Sequence, residues 1–151
     1  MSATILLADD DDDDYLLFSE AISQILSDYE MHRVKDGLEC IYVLKHFKIP
    51  NYIFLDLNMP LKNGIECLKA IRLNPELAEV PVIIFSSTHH LKDIDLSYKF
   101  GATYYLVKPQ SFPATVKILK RLFLLLSTPG FIPLGKAYFV VRHNQKEGSQ
   151  S

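Results

Sequence analysis

The feature that most constrains this chain is an alternation of short strand-like runs with segments whose apolar residues recur at helical spacing. TILLA (4–8), MHRVK (31–35), YIFLD (52–56), VPVIIFS (80–86) and TYYLVK (103–108) are too short for typical helices. Most are rich in β-branched or aromatic residues and read as strands. Three are nearly continuous in apolar character, as expected of parallel strands covered by helices on both faces. MHRVK is mixed in polarity and suits a sheet edge.

The intervening segments predict helices. Phe18, Ala21, Ile22 and Ile25 form one buried stripe and leave Ser23, Gln24 and Ser27 to water, while Ile65, Leu68 and Ile71 form another. Asp36-Gly37 opens a helix carrying Leu38, Ile41, Leu44 and Phe47. Ile49-Pro50 closes it, because a residue before proline disfavours the helical region. Asn74-Pro75 ends the third helix in the same way. A fourth runs from His90 to Phe100 with Gly101 as its C-terminal glycine, and a fifth from Phe112-Pro113 to Leu126. Five strand-then-helix repeats imply a parallel sheet with right-handed crossovers, an open doubly wound α/β domain. In such a sheet ligands bind beyond the carboxyl ends of the strands, where the strand order reverses.

Four of the five strand ends carry polar chemistry. Asp9 and Asp10 follow the first strand, Asp56 the third, Ser86 the fourth and Lys108 the fifth. Asp9, Asp10 and Asp56 bring three carboxylates together, and their repulsion is costly unless a cation sits among them. Oxygen donors favour a hard ion such as Mg²⁺, which keeps open positions for phosphoryl oxygens. Lys108 can neutralise a further phosphoryl oxygen, and Ser86 can donate a hydrogen bond to another. The set suits phosphoryl transfer, with Asp56 as the nucleophile that forms an acyl phosphate.

Composition narrows the partners. The 151 residues suit one domain with its own core, and 48% hydrophobic with 23% charged residues is a globular composition. Sixteen basic and eighteen acidic residues leave a net charge of -2, so neither nucleic acid nor an anionic membrane is expected as the main partner. Cys40 and Cys67 lack metal-ligand spacing and read as reduced, buried thiols, which fits a cytoplasmic protein. No leader pattern and no apolar run near the roughly 20 residues of a membrane span is found.

ILLADD, YIFLDLNMPLKNG, the serine after PVIIF, and GATYYLVKP, in this order and spacing, resemble the receiver domain of two-component response regulators over about residues 3–126. The resemblance implies a flavodoxin-like sheet of five parallel strands in the order 2-1-3-4-5 with five helices. It implies that Asp56 accepts a phosphoryl group from a phosphohistidine of a sensor histidine kinase or phosphotransfer protein. Asp10 would ligate Mg²⁺ directly, Asp9 mainly through water, and Asn58 through its backbone carbonyl. Ser86 and Lys108 would be the cleft hydroxyl and lysine, and Lys108–Pro109 is often cis in such domains. Tyr105 matches the aromatic position that turns inward when the Ser86 hydroxyl moves to the phosphoryl group, the two-state element of the switch. Asn58 and Thr88 would tune the acyl phosphate's lifetime. A downstream protein would read the face of the fourth helix, fifth strand and fifth helix. A second copy of the chain is a further candidate partner, though the sequence does not decide whether it dimerises, and no reaction is expected besides its own phosphorylation and dephosphorylation.

Each assignment has a plain structural rival. Asn58 is also a turn residue before Met59-Pro60, Tyr104 and Tyr105 are also strand aromatics, and His89-His90 are also surface histidines. His32, His46 and His143 form no constellation. Two other function classes share features with this chain. A haloacid-dehalogenase-like phosphatase wants an acid two residues after its nucleophile, where this chain has Asn58. A receiver-like module that only binds a partner usually lacks one of the acids or the lysine.

Two features exceed the simplest receiver pattern. Asp9 to Asp14 are six consecutive aspartates. A like-charge run is ordinarily solvated, and here Asp11 to Asp14 are expected to be so, at a helix N-terminus that favours negative charge. Neutralising those four should then leave Mg²⁺-dependent phosphorylation intact. Beyond the domain of residues 1–126, residues 127–151 form an extension without a core of its own, disordered from about Asn144. The fifth helix is apolar nearly all round in its last turns, since Val116, Phe123 and Leu124 lie off the stripe of Ile118, Leu119, Leu122, Leu125 and Leu126. AYFVV (137–141) is a candidate to cover them.

Overall fold

Short, almost continuously buried strands build the sheet. The structure, a computed structural model, describes residues 2–128 and 135–142. Six strands, β1 (Ala3–Ala8), β2 (Tyr29–Val34), β3 (Tyr52–Leu55), β4 (Val82–Ser86), β5 (Tyr104–Val107) and β6 (Val140–Val141), form one sheet in the order β2-β1-β3-β4-β5-β6. Every neighbouring pair is parallel. The helices are α1 (Asp12–Ile25), α2 (Gly37–His46), α3 (Gly64–Leu73), α4 (Leu91–Lys99) and α5 (Phe112–Ser127).

Because side chains alternate along a strand, each strand feeds two cores. Leu6, Ala8, Ile53, Leu55, Val82, Ile84 and Tyr105 pack with Cys40, Leu44, Cys67, Leu68, Ile71 and Ile94 of α2, α3 and α4. Ile5, Leu7, Phe54, Ile83, Phe85, Tyr104 and Leu106 pack with Phe18, Ala21 and Ile22 of α1 and Ile118, Leu119 and Leu122 of α5. This explains why the central strands read as unbroken apolar runs: neither face meets water. MHRVK lies at the edge, within β2 and the residue after it.

Both cysteines are free and fully buried. Polar side chains start the helices: Asp11, Asp36, Asn63 and Ser111 each accept from a backbone N–H three residues on. Gly101 takes φ 94° after α4, as its place at the helix end requires.

Three expectations are corrected. In α2 the buried face is Gly37, Cys40 and Leu44, while Leu38 and Phe47 are exposed. Cys40 sets the phase of the helix, and α2 stops at His46, three residues before Ile49. Lys108–Pro109 is trans, since no described peptide bond is cis; trans is the lower-energy form for most bonds before proline.

The third correction is the sheet itself, which has six strands instead of five. After a 3-10 turn at Lys136–Tyr138, Phe139 is buried and its carbonyl accepts from Tyr105 N–H at 3.0 Å. Val140 and Val141 then pair with Tyr105 and Leu106, and Lys136 forms an ion pair with Asp95 of α4. Part of AYFVV is thus a strand on its own domain. Val141 joins the α5 core, but Phe123 is covered from the sheet side by Tyr52 at 5.2 Å, and Leu124 stays exposed. His143 and the segment from Asn144 lie outside the described residues.

Candidate functional site

The ends of β1, β3, β4 and β5 meet at one edge of the sheet, and the ladder fixes the polar residues that follow them. Asp9 N–H donates to Val34 O at 3.0 Å, Asp56 N–H to Ala8 O at 2.9 Å and Lys108 N–H to Ser86 O at 2.8 Å. Each side chain therefore leaves a backbone already held in register. β1 lies between β2 and β3, so the strand order reverses there and opens the crevice the topology predicts.

Into that crevice project Asp9, Asp10 and Asp56, each with a carboxylate oxygen within 4.8 Å of the others. Asp9 and Asp56 are buried and Asp10 is exposed. The Lys108 ammonium reaches across them, 2.7 Å from Asp9 Oδ2 and 3.0 Å from Asp56 Oδ2. Burial dominates at Asp9 and raises its carboxyl above the usual carboxylate range, against the pull of Lys108 and of the Asp11 N–H. Burial also works against the Lys108 charge, yet hydrogen bonds to Asp14 and Asp9 and the charge of Asp56 outweigh it and raise its pKa. One ammonium thus faces an excess of carboxylate charge, and an oxygen-only donor set of this kind fits a hard divalent cation.

The other predicted residues fall around this centre. Asn58 is exposed, and its backbone N–H donates to Asp56 Oδ1 at 3.2 Å. Ser86 is fully buried, and its hydroxyl accepts from Thr88 N–H at 3.5 Å. The Thr88 hydroxyl donates to Asp93 Oδ2 at 3.1 Å, and the Thr88 carbonyl accepts from the Tyr105 hydroxyl at 2.7 Å. A chain of contacts through Thr88 therefore joins Ser86 to Tyr105. Tyr105 already points inward with no exposed surface, and Phe139 lies against it with ring centroids 6.2 Å apart. Burial pushes its hydroxyl well above the usual tyrosine range. His89 and His90 stack on each other at an exposed position, apart from the acidic cluster.

The aspartate run divides differently from expectation. Asp11 caps α1, accepting from Asp14 N–H at 2.9 Å, and Asp12 pairs with Arg33 at 2.7 Å. Arg33 also donates from Nε to Asp9 O at 3.1 Å and covers the Tyr15 ring. Asp14 is no solvated rim residue: its Oδ2 is 2.8 Å from the Lys108 ammonium. A signal for it was present, because Asp14 precedes Phe18 by four residues and so extends the buried stripe of α1 by one turn. Like charge along the whole run masked that phase.

Gly64 holds the floor of the site. Its N–H donates to Leu57 O at 3.1 Å, and a Cβ there would run into the Asp56 carbonyl oxygen and lie 2.8 Å from Leu57 Cα. Those neighbours are backbone and cannot yield cheaply. Gly64→Ala should cost about 3 kcal/mol of stability, at the upper end for overpacking, as urea denaturation would record. A loss under about 0.5 kcal/mol would show that the turn after Asp56 is pliant.

The sequence model of the response regulator receiver domain matches residues 5–120. The response regulator Rcp1 of Synechocystis sp. is 32% identical over 122 residues, covering 77% of this chain and 83% of that protein. The polar-differentiation response regulator DivK of Brucella anthropi is 27% identical over 120 residues, 80% of this chain and 95% of DivK. Among solved structures, Mn²⁺-bound Rcp1 superposes with a TM-score of 0.76 at 29% identity, covering 87% of this chain and 99% of the other. The phosphorylated cyanobacterial phytochrome response regulator RcpA superposes with a TM-score of 0.80 at 28% identity, covering 89% and 100%. With the acidic crevice, its lysine and this match over most of its length, the chain belongs to the response regulator receiver domain family.

Proposed function

We propose that this receiver is a phosphorylation-controlled protein-protein switch with Asp56 as its phosphoacceptor. The observation that carries the reading is the Lys108 ammonium, held 3.0 Å from Asp56 and 2.7 Å from Asp9 beside an acidic cluster. An Asp56 carboxylate oxygen attacks the phosphorus of a phosphohistidine on a sensor kinase or phosphotransfer protein. An O–P bond forms, the N–P bond breaks, and the imidazole leaves with that electron pair. Lys108 and the Ser86 hydroxyl stabilise the phosphoryl oxygens as charge spreads over them. Asp9, Asp10, Asp56 and the Asn58 carbonyl would hold Mg²⁺, which supplies charge neutralisation for the phosphoryl group.

Signalling follows from the chain of contacts through Thr88. A Ser86 hydroxyl drawn toward the phosphoryl group releases Thr88 N–H, and the Thr88 carbonyl that holds Tyr105 moves with it. Asn58 and Thr88 flank the acyl phosphate and tune how quickly water reaches it. The partner would bind near α4, where Leu91 and Tyr98 are exposed; β6 already covers the edge of β5, and a second copy of the chain is a candidate partner for the same face. The chain works as a switch and turns over no substrate beyond its own phosphoryl group. No helix among the described residues is long and apolar enough to cross a membrane, and the cytoplasm, where histidine kinases present their phosphohistidines, is the proposed location.

Incubation with acetyl phosphate, followed by intact mass and peptide mapping, tests the reading. A single phosphoryl adduct on Asp56 that requires Mg²⁺ is expected, with no turnover of phosphate monoesters. An adduct that forms without the cation, or on another residue, would refute it. Turnover of monoesters would favour the phosphatase class, and no adduct at all would favour a module that only binds.

A further inference from the structure

Lysine carries three N–H donors, and Lys108 spends all three on carboxylates: Asp9 at 2.7 Å, Asp14 at 2.8 Å and Asp56 at 3.0 Å. On the function proposed above, two of these partners are needed elsewhere. Asp9 and Asp56 belong to the cluster suited to a cation, and Asp56 also takes the phosphoryl group. Asp14 belongs to neither. It sits in the first turn of α1 with its own N–H held by Asp11 Oδ1 at 2.9 Å, so its carboxylate starts from a fixed backbone. The Lys108 side chain is only 10% exposed, and its long stem has no other ionic anchor among the described residues.

We propose that Asp14 is a positioning residue, which keeps the Lys108 ammonium over the cleft while Asp9 and Asp56 change partners. One N–H then stays on Asp14, and the others are free for the transferring phosphoryl oxygens. This rests on the phosphoacceptor reading of Asp56 and adds a residue to it. A helix N-terminus favours acidic residues in general, so a charge effect alone would be shared by Asp13, exposed in the same turn.

The test measures the rate of Asp56 phosphorylation by acetyl phosphate across a Mg²⁺ titration, with intact mass as the readout. Wild type, Asp14→Asn, Asp14→Glu, Asp13→Asn, Lys108→Ala and the double variant Asp14→Asn/Lys108→Ala are compared. In Asp14→Asn the rate at saturating Mg²⁺ should fall roughly tenfold, as when a group that orients an acting residue is removed. The Mg²⁺ midpoint should stay within about twofold, which separates lost positioning from lost cation affinity. Asp14→Glu should recover much of the rate, Asp13→Asn should match wild type, and Asp14→Asn should add nothing in the Lys108→Ala background. A shifted midpoint with an unchanged maximal rate, an equal loss in Asp13→Asn, or additive losses with Lys108→Ala would overturn the role of Asp14. Wild type that forms no adduct on Asp56 would refute the phosphoacceptor reading itself, and this inference with it.

Discussion

Asp56→Asn is expected to form no phosphoryl adduct and, without Mg²⁺, to be more stable than wild type. The first result follows from the nucleophile, since an amide oxygen does not form the acyl phosphate. The second follows from the charge balance of the crevice. Three carboxylate groups lie within 4.8 Å of one another, and like charges at that distance disfavour one another. Asparagine is nearly isosteric and keeps an oxygen for the Asn58 N–H, now 3.2 Å from Asp56 Oδ1. Lys108 keeps Asp9 and Asp14 as partners, so no charge is orphaned. A gain of about 1 kcal/mol is expected, the usual scale of one charge relieved in a partly wet site. Mg²⁺ should then reverse the order, because a ligand at 100 times its Kd stabilises wild type by about 2.7 kcal/mol and the variant binds it more weakly. Urea midpoints with and without Mg²⁺ read both signs; a variant less stable than wild type in both conditions would refute this balance.

Lys108→Ala moves stability the other way. It strips the shared cation from Asp9 and Asp56, whose side chains are 2% and 9% exposed, and from Asp14 at 36%. Breaking a buried pair typically costs about 3 to 5 kcal/mol through the charge left behind. The lower end, about 3 kcal/mol, applies here because Asp14 is partly solvated and screened. Mg²⁺ should recover a large part of that loss by serving the same carboxylates. Phosphotransfer should fall about 10²-fold even at saturating Mg²⁺, as expected for one lost electrostatic stabiliser of the transition state. Full phosphotransfer, or a stability loss that Mg²⁺ leaves unchanged, would separate Lys108 from the site.

The sheet and the centre of the site were legible because each apolar run ends in a polar residue at a point the topology makes a cleft. Asp9, Asp56, Ser86 and Lys108 needed only the knowledge that strands are rigid and parallel. Asp14 was hidden by its neighbours, since six identical residues erase the polarity contrast from which helix phase is read. The α2 stripe misled for a related reason: Leu38 and Phe47 are as apolar as the buried positions, and only close packing against α3 chooses Cys40 and Leu44. The sixth strand has two residues, too few for a periodic signal, and it exists only because β5 offers it an edge.

That edge has a consequence for solubility. Unpaired N–H and C=O groups along an outer strand are a template for a strand from another molecule. At one side of this sheet β2 carries exposed Glu30 and His32, which discourage such pairing. On the other side β5 runs Tyr104–Val107, aromatic and aliphatic throughout, with no charge to deter it. Val140 and Val141 occupy those groups instead, and the new outer edge is two residues long. Resistance to strand-by-strand aggregation is thus delegated to the short segment 136–141, and a chain that loses its grip on β5 would expose an edge suited to stacking.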